Sequence, residues 1–268
     1  MEQIIEIENY KLLVTTQGSG APILLLHSYW GNLQLFDHLA NQLSPIYKVI
    51  RIDLPGHCGS GDPPIDYRFD TFTGILNQLL IRIDVNGPLT LIGHSMGGYV
   101  ALAFAARYPE KVTSLILMHS LIKNADNISI KLRNKEAELL RNGKKELFLK
   151  ATIPSNFASI ENPKTAELIK IIQQTASQVT LQGALLTIEA MNNRTNYLSM
   201  LQKAPFPILI IVGKYDKVFN PDGQLEDAAQ IPGAEIVMLN NSGHLGFLEE
   251  EEIVLFNLKK FLGGKLNL

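Results

Sequence analysis

The stretch Leu89-Thr-Leu-Ile-Gly-His-Ser-Met-Gly-Gly98 decides the reading of this chain: a short apolar run stops at a serine set between glycines. Gly93-His-Ser-Met-Gly97 fits the G-x-S-x-G pattern, which requires a strand before it and a helix after it. Both are present. Leu89, Leu91 and Ile92 read as a buried strand, and the residues after Gly97, with Tyr99, Val100, Leu102, Ala103, Phe104 and Ala106, read as a helix. A serine on so tight a turn holds a strained backbone. Side chains two positions before and after it would collide, which accounts for Gly93 and Gly97. The turn lifts the hydroxyl clear of the sheet and leaves the first N–H groups of the helix facing whatever bonds to it.

The rest of the chain supplies a large core for this turn. Its 268 residues suit one large α/β domain, and 46% hydrophobic against 19% charged residues argues for a packed interior rather than disorder. A formal charge of −2 offers no basic surface to nucleic acid or an anionic membrane. The first eight residues alternate acidic and aliphatic side chains, unlike a signal peptide, and no run reaches the ~20 apolar residues of a membrane span. The single cysteine, Cys58, excludes an internal disulfide and a cysteine-based metal cluster. The expectation is a cytoplasmic protein with no nucleic-acid or membrane partner, no cofactor and no metal.

Short aliphatic strands alternate with amphipathic helices, the signature of a mostly parallel sheet covered on both faces. Strands are expected over 4–7, 11–16, 23–27, 49–53, 89–92, 114–118, 208–212 and 235–239, the first two as an antiparallel hairpin. Helices are expected over 33–43, 69–83, 98–108, 223–230 and 250–262. Between 121 and 203 the alternation breaks: only helical patterns occur, over 130–141, 144–151, 164–179, 181–191 and 195–201. So long a stretch is read as an all-helical cap inserted between the sixth and seventh strands of a single domain spanning 1–268. Insertions at strand C-terminal ends lie over the crevice where open α/β sheets bind ligands.

A serine hydroxyl is a weak nucleophile and needs a base that is itself oriented by a carboxylate. For an elbow serine, the acid and then the histidine follow in chain order, each beyond a strand. Pro207-Ile-Leu-Ile-Ile-Val-Gly-Lys-Tyr-Asp216 and Glu235-Ile-Val-Met-Leu-Asn-Asn-Ser-Gly-His244 supply both. Ser95 is thus the candidate nucleophile, His244 the base and Asp216 the orienting acid. Asp222 and Asp227 are neighbouring carboxylates, and Asp216 could instead form a turn. Acidic residues at 249–252 read as favourable charge at a helix N-terminus. His94 reads as packing or bonding locally, and Cys58, with no elbow around it, as unreactive.

With these stretches, and with Leu24-Leu-Leu-His-Ser-Tyr-Trp-Gly31 and Asp53-Leu-Pro-Gly-His-Cys-Gly-Ser60, the whole chain resembles the α/β-hydrolase fold family. The resemblance implies an eight-stranded, mostly parallel sheet flanked by helices. It also implies an oxyanion hole made by the N–H after the nucleophile and an N–H from the loop after the third strand, here Met96 and Tyr29. In the family that loop usually begins His-Gly; here it begins His27-Ser28, so a serine meets whatever backbone angle the glycine would have served. Ser28, Trp30 and His119 are candidate pocket residues, Trp30 with simple packing as its alternative and His119 reading first as a structural histidine; Phe148, Phe157, Met191 and Tyr197 are possible pocket walls.

Several relatives fit poorly. Dehalogenases and epoxide hydrolases carry aspartate at the elbow, iminopeptidases a Gly-Gly-x-Gly loop, and haloperoxidase-like members a proline where Tyr29 stands. The resemblance implies acyl transfer from a small-molecule ester to water, with a thioester, a lactone or a C–C bond as alternatives. A non-enzymatic ligand receptor on the same fold is the reading from another class.

Overall fold

The computed structural model describes residues 1–263. Its sheet follows from aliphatic runs that are buried on both faces. In chain order the chain forms β1 (Glu2–Ile7), β2 (Tyr10–Gln17), β3 (Pro22–Leu26), α1 (Asp37–Leu43), β4 (Lys48–Ile52), α2 (Phe69–Arg82), β5 (Leu89–His94), α3 (Met96–Arg107) and β6 (Val112–Met118). Five helices come next: α4 (Asn127–Arg141), α5 (Lys145–Thr152), α6 (Pro163–Ser177), α7 (Leu181–Asn192) and α8 (Leu198–Leu201). The chain then returns through β7 (Ile208–Gly213), α9 (Pro221–Ala228), β8 (Glu235–Leu239), α10 (Gly246–Glu249) and α11 (Glu251–Gly263).

The eight strands pair in the order β1-β2-β4-β3-β5-β6-β7-β8. β1–β2 and β2–β4 are antiparallel and every later pair is parallel. Leu24, Leu25, Leu26, Ile50, Ile52, Leu91, Ile92, Leu115, Ile116 and Leu117 are all buried, as strands covered on both faces require. Helix α3 is buried at every position from Met96 to Ala105 and packs against α2, so its pattern is apolar all round.

Register brings the strand ends into one row. Leu26 pairs with Gly93, His94 with Met118, Met118 with Ile211, and Gly213 with Leu239. The residues after these ends, Ser95, His119, Asp216 and His244 among them, therefore gather along one edge of the sheet. Helix α7 touches the loop after β4 near that edge. Gly183 of α7 meets Gly56 so closely that a methyl on Gly56 would sit 2.6 Å from the Gly183 Cα. The Arg194 guanidinium donates to the Lys123 and Met191 carbonyls and stacks on the Tyr99 ring, fastening the return of this segment to α3.

Helix bounds differ from the sequence reading where side chains cap them. Helix α4 begins at Asn127 rather than 130 because Asp126 accepts the Ser129 N–H. Helix α8 is shorter than 195–201 because Thr195 and the Tyr197 hydroxyl are drawn to Asp70.

Candidate active site

Ser95 stands between β5 and α3 with φ 51° and ψ −114°, in the left-handed region that costs strain for a residue with a Cβ. Its N–H donates to the Met118 carbonyl at 2.9 Å, and its carbonyl accepts from Gly98 N–H and the Ser120 hydroxyl. The glycines are required by contact. A methyl on Gly93 would lie 2.5 Å from the Gly97 carbonyl oxygen, and one on Gly97 would lie 2.0 Å from the Leu26 carbonyl oxygen. The elbow exists because two backbones touch there.

His244 and Asp216 meet although 28 residues separate them: Nδ1 of His244 lies 2.8 Å from Oδ2 of Asp216. The carboxylate fixes the proton on Nδ1, which leaves Nε2 with its lone pair. The other oxygen, Oδ1, accepts from the Val218 N–H at 2.8 Å and the Phe219 N–H at 3.0 Å. Burial alone would raise this carboxyl. The charge of His244, its hydrogen bond and the nearby His119 ring outweigh it and hold Asp216 well below the usual carboxylate range. The acid is ionised at neutral pH. Asp222 lies in the first turn of α9, where its N–H donates to the capping Asn220 side chain, and Asp227 pairs with Lys123.

The histidine loop is clamped from several sides. His94 Nε2 lies 2.8 Å from the His244 carbonyl and donates to it, so its partner is across the sheet rather than local. The His244 N–H donates to Asn156 at 2.7 Å, and the Phe219 ring meets the imidazole edge-on at 5.1 Å. Glu249 accepts the N–H groups of Gly243 and Ala158, both at 2.8 Å, and Glu250 accepts those of Asn241 and the Ser242 hydroxyl. The sequence reading gives this acidic run only a helix-start role. The structure gives Glu249 and Glu250 the task of holding the loop that carries His244.

The loop after β3 resolves the Ser28 departure. The left-handed φ of 63° falls on Trp30, not Ser28, and Gly31 N–H closes the turn on the Ser28 carbonyl at 2.9 Å. Ser28 needs no special angle here. His27 accepts the Leu54 N–H on Nε2 and donates Nδ1–H to the Ser28 carbonyl, and burial lowers its pKa to about 4, so it is a neutral strut. Asp53 accepts the Leu33 and Gly59 N–H groups and holds the same loop from β4; burial raises it to about 6 against those bonds. The Tyr29 and Trp30 rings stack at 4.5 Å, and Phe148 of α5 meets Trp30 at 6.2 Å.

Other candidates take different places. The sequence reading gives His119 as a structural histidine, with substrate contact at the crevice as the alternative; the structure buries it completely, 3.6 Å from Asp216 Oδ2. Phe157 is a core residue, and Tyr197 bonds Asp70 beside a water-sized cavity lined by Phe69, Tyr99 and Arg194. Cys58 is only partly buried, but burial pushes its thiol up to about 12, so the thiolate is scarce at neutral pH. His119, Asp216 and His244 bring ligand-type atoms within 4.8 Å of one another. Of these contacts, the 2.8 Å one between His244 and Asp216 is a hydrogen bond.

Comparison with known proteins agrees with this fold. Lipase 3 from a Moraxella species is 27% identical over 252 residues, covering 92% of this chain and 78% of the lipase. A pimeloyl-[acyl-carrier protein] methyl ester esterase from Neisseria meningitidis serogroup B is 27% identical over 254 residues, covering 91% of this chain and 93% of the esterase. Among solved structures, a thermophilic esterase from Thermogutta terrifontis superposes with a TM-score of 0.90 at 25% identity, covering 98% of both chains. The family model of the alpha/beta hydrolase fold matches residues 21–251, from β3 to the start of α11. Elbow, sheet order and family match converge on one conclusion: the chain belongs to the α/β-hydrolase fold family.

Proposed function

We propose that this protein is a serine esterase that cleaves small-molecule carboxylic esters through an acyl-enzyme, with Ser95 as nucleophile, His244 as base and Asp216 as orienting acid. One observation carries the reading: the 2.8 Å hydrogen bond from His244 to Asp216, in a molecule whose elbow serine has the strained φ of 51°. Its relatives named lipase and esterase support ester hydrolysis as the activity.

The chemistry follows from the proton positions. Nδ1–H of His244 is committed to Asp216, so Nε2 is the base that takes the Ser95 proton as Oγ attacks the carbonyl carbon. The resulting oxyanion accepts hydrogen bonds from the backbone N–H groups of Met96 and Tyr29; each such donor is worth about 100- to 1,000-fold in kcat. The imidazolium then gives its proton to the departing alcohol. Water, deprotonated by the same Nε2, attacks the acyl-enzyme and releases the acid.

Residues 121–203 act as the cap of this single domain, and Ser28 and Trp30 belong to the pocket beneath it. The contacts of Trp30 and Tyr29 with α4 and α7 support that placement. Among the described residues no helix is long and apolar enough to cross a membrane. A cytoplasmic site of action fits the lone cysteine.

A panel of p-nitrophenyl esters from acetate to palmitate, with a matching thioester series, tests the activity on folded protein. The expected result is turnover with a preference for oxygen esters, together with covalent labelling of Ser95 by a fluorophosphonate. No turnover and no label would move the protein to the ligand-receptor class.

A further inference from the structure

Asp216 carries two imidazoles, and the proposed triad uses only one. His119 follows β6 directly, as Ser95 follows β5. Its Nδ1 lies 3.6 Å from the Asp216 Oδ2 that also faces His244 at 2.8 Å. The ring is fully buried, and neither of its nitrogens has a hydrogen-bond partner within normal length. A neutral imidazole always carries one N–H, and burial keeps this ring neutral by lowering its affinity for a second proton.

Among the described residues, the acceptor that faces this ring is Asp216 Oδ2. Nε2 is pressed against backbone, since a methyl on Gly246 would fall 2.6 Å from it, whereas Nδ1 faces the carboxylate. The carboxylate has room for it. An ionised carboxylate offers about four lone-pair sites; Oδ1 uses two on Val218 and Phe219, and Oδ2 uses one on His244. The fold also pays strain to put the ring here: His119 has φ 47°, and a methyl on Gly213 or Gly246 would come within 2.9 Å of it.

We propose that His119 is a positioning residue whose Nδ1–H serves as a second donor to Asp216 Oδ2, fixing the carboxylate that aligns His244 and limiting how tightly that pair holds a proton. The proposal rests on the triad reading above. The groups facing the His119 ring are Asp216 after β7, His244 after β8, His94 at the end of β5 with its ring 5.8 Å away, and Glu250 between α10 and α11, whose charge reaches it. Without the second donor, Oδ2 is a stronger acceptor for His244 alone. The pair then keeps its proton to higher pH, and the carboxylate is freer to turn. Both effects lower turnover at neutral pH and leave substrate binding alone.

The test uses p-nitrophenyl butyrate across pH 5–9 with three variants. His119→Leu fills the slot without a donor. His119→Gly removes the donor and tolerates the positive φ, should the leucine variant fail to fold. His119→Asn keeps an N–H near the position of Nδ1 in a residue that accepts left-handed backbone. The donor-free variants are expected to lose about 10- to 100-fold in kcat with KM within twofold, an acid limb moved up by half a pH unit or more, and Ser95 still labelled by fluorophosphonate. His119→Asn is expected to recover at least a third of the parent kcat and the parent acid limb. A folded donor-free variant with the parent's kcat and acid limb overturns the proposal, as does an asparagine variant that rescues neither. A parent that neither turns over ester nor labels at Ser95 overturns the triad reading itself, and the two failures are thereby distinct.

Discussion

The indole N–H of Trp30 donates to Oε1 of Glu136 at 3.2 Å, joining the loop after β3 to helix α4. The same loop carries the Tyr29 N–H proposed for the oxyanion hole. A side chain of the helical segment thus joins His27 and Asp53 in holding this loop.

Glu136 makes this junction sensitive to pH. Burial raises its carboxyl from the ordinary 4.5 to about 7, against the donors Tyr29 and Trp30 and the charge of Arg133. The folded chain therefore holds this proton more tightly than the unfolded chain. Its contribution to stability is full below pH 4.5 and is lost as pH rises through about 7. Glu136→Gln removes that loss, worth about 1–2 kcal/mol once water reaching a half-buried carboxyl is discounted. Melting curves from pH 5 to 8 should fall less steeply for the variant than for the parent; equal slopes would contradict the buried carboxyl.

Ser95, Asp216 and His244 are legible in the sequence because each follows an apolar run by a fixed few residues, and parallel strands in register bring such positions together. His119 shares that row, but nothing in its neighbours in sequence tells a ring facing a crevice from one facing Asp216. Glu249 is harder still: Ala158, one of the two N–H groups it binds, is 91 residues away, and no periodicity encodes that pairing. Ser28 directs attention to the missing glycine, yet the turn passes its positive φ to Trp30. Periodicity finds local elements well. It is blind to which loops the sheet edge gathers.

Gly97→Ala should be severe. Its methyl would meet the Leu26 carbonyl at 2.0 Å and the His27 carbonyl at 2.7 Å, both backbone, at the end of β3 and just beyond it. Overpacking against rigid backbone costs at least about 3 kcal/mol here. Chemical denaturation should show that loss or no cooperative fold; a change under 1 kcal/mol would mean that β3 and the elbow are not in contact as described.

Glu249→Ala tests the clamp on the histidine loop. It leaves the N–H groups of Gly243 and Ala158 without their acceptor, a cost of about 1–3 kcal/mol. The expected outcome is a lower melting temperature with kcat reduced about tenfold and Ser95 still labelled. Full activity at full stability would remove Glu249 from the support of His244.

The central claim is that the Ser95 hydroxyl forms the acyl-enzyme. The most direct measurement is turnover of p-nitrophenyl butyrate by Ser95→Ala, with circular dichroism to show that the fold is kept. Loss of about 10⁴- to 10⁶-fold in kcat is the predicted result, by the behaviour of serine triads. Activity within tenfold of the parent would contradict the account.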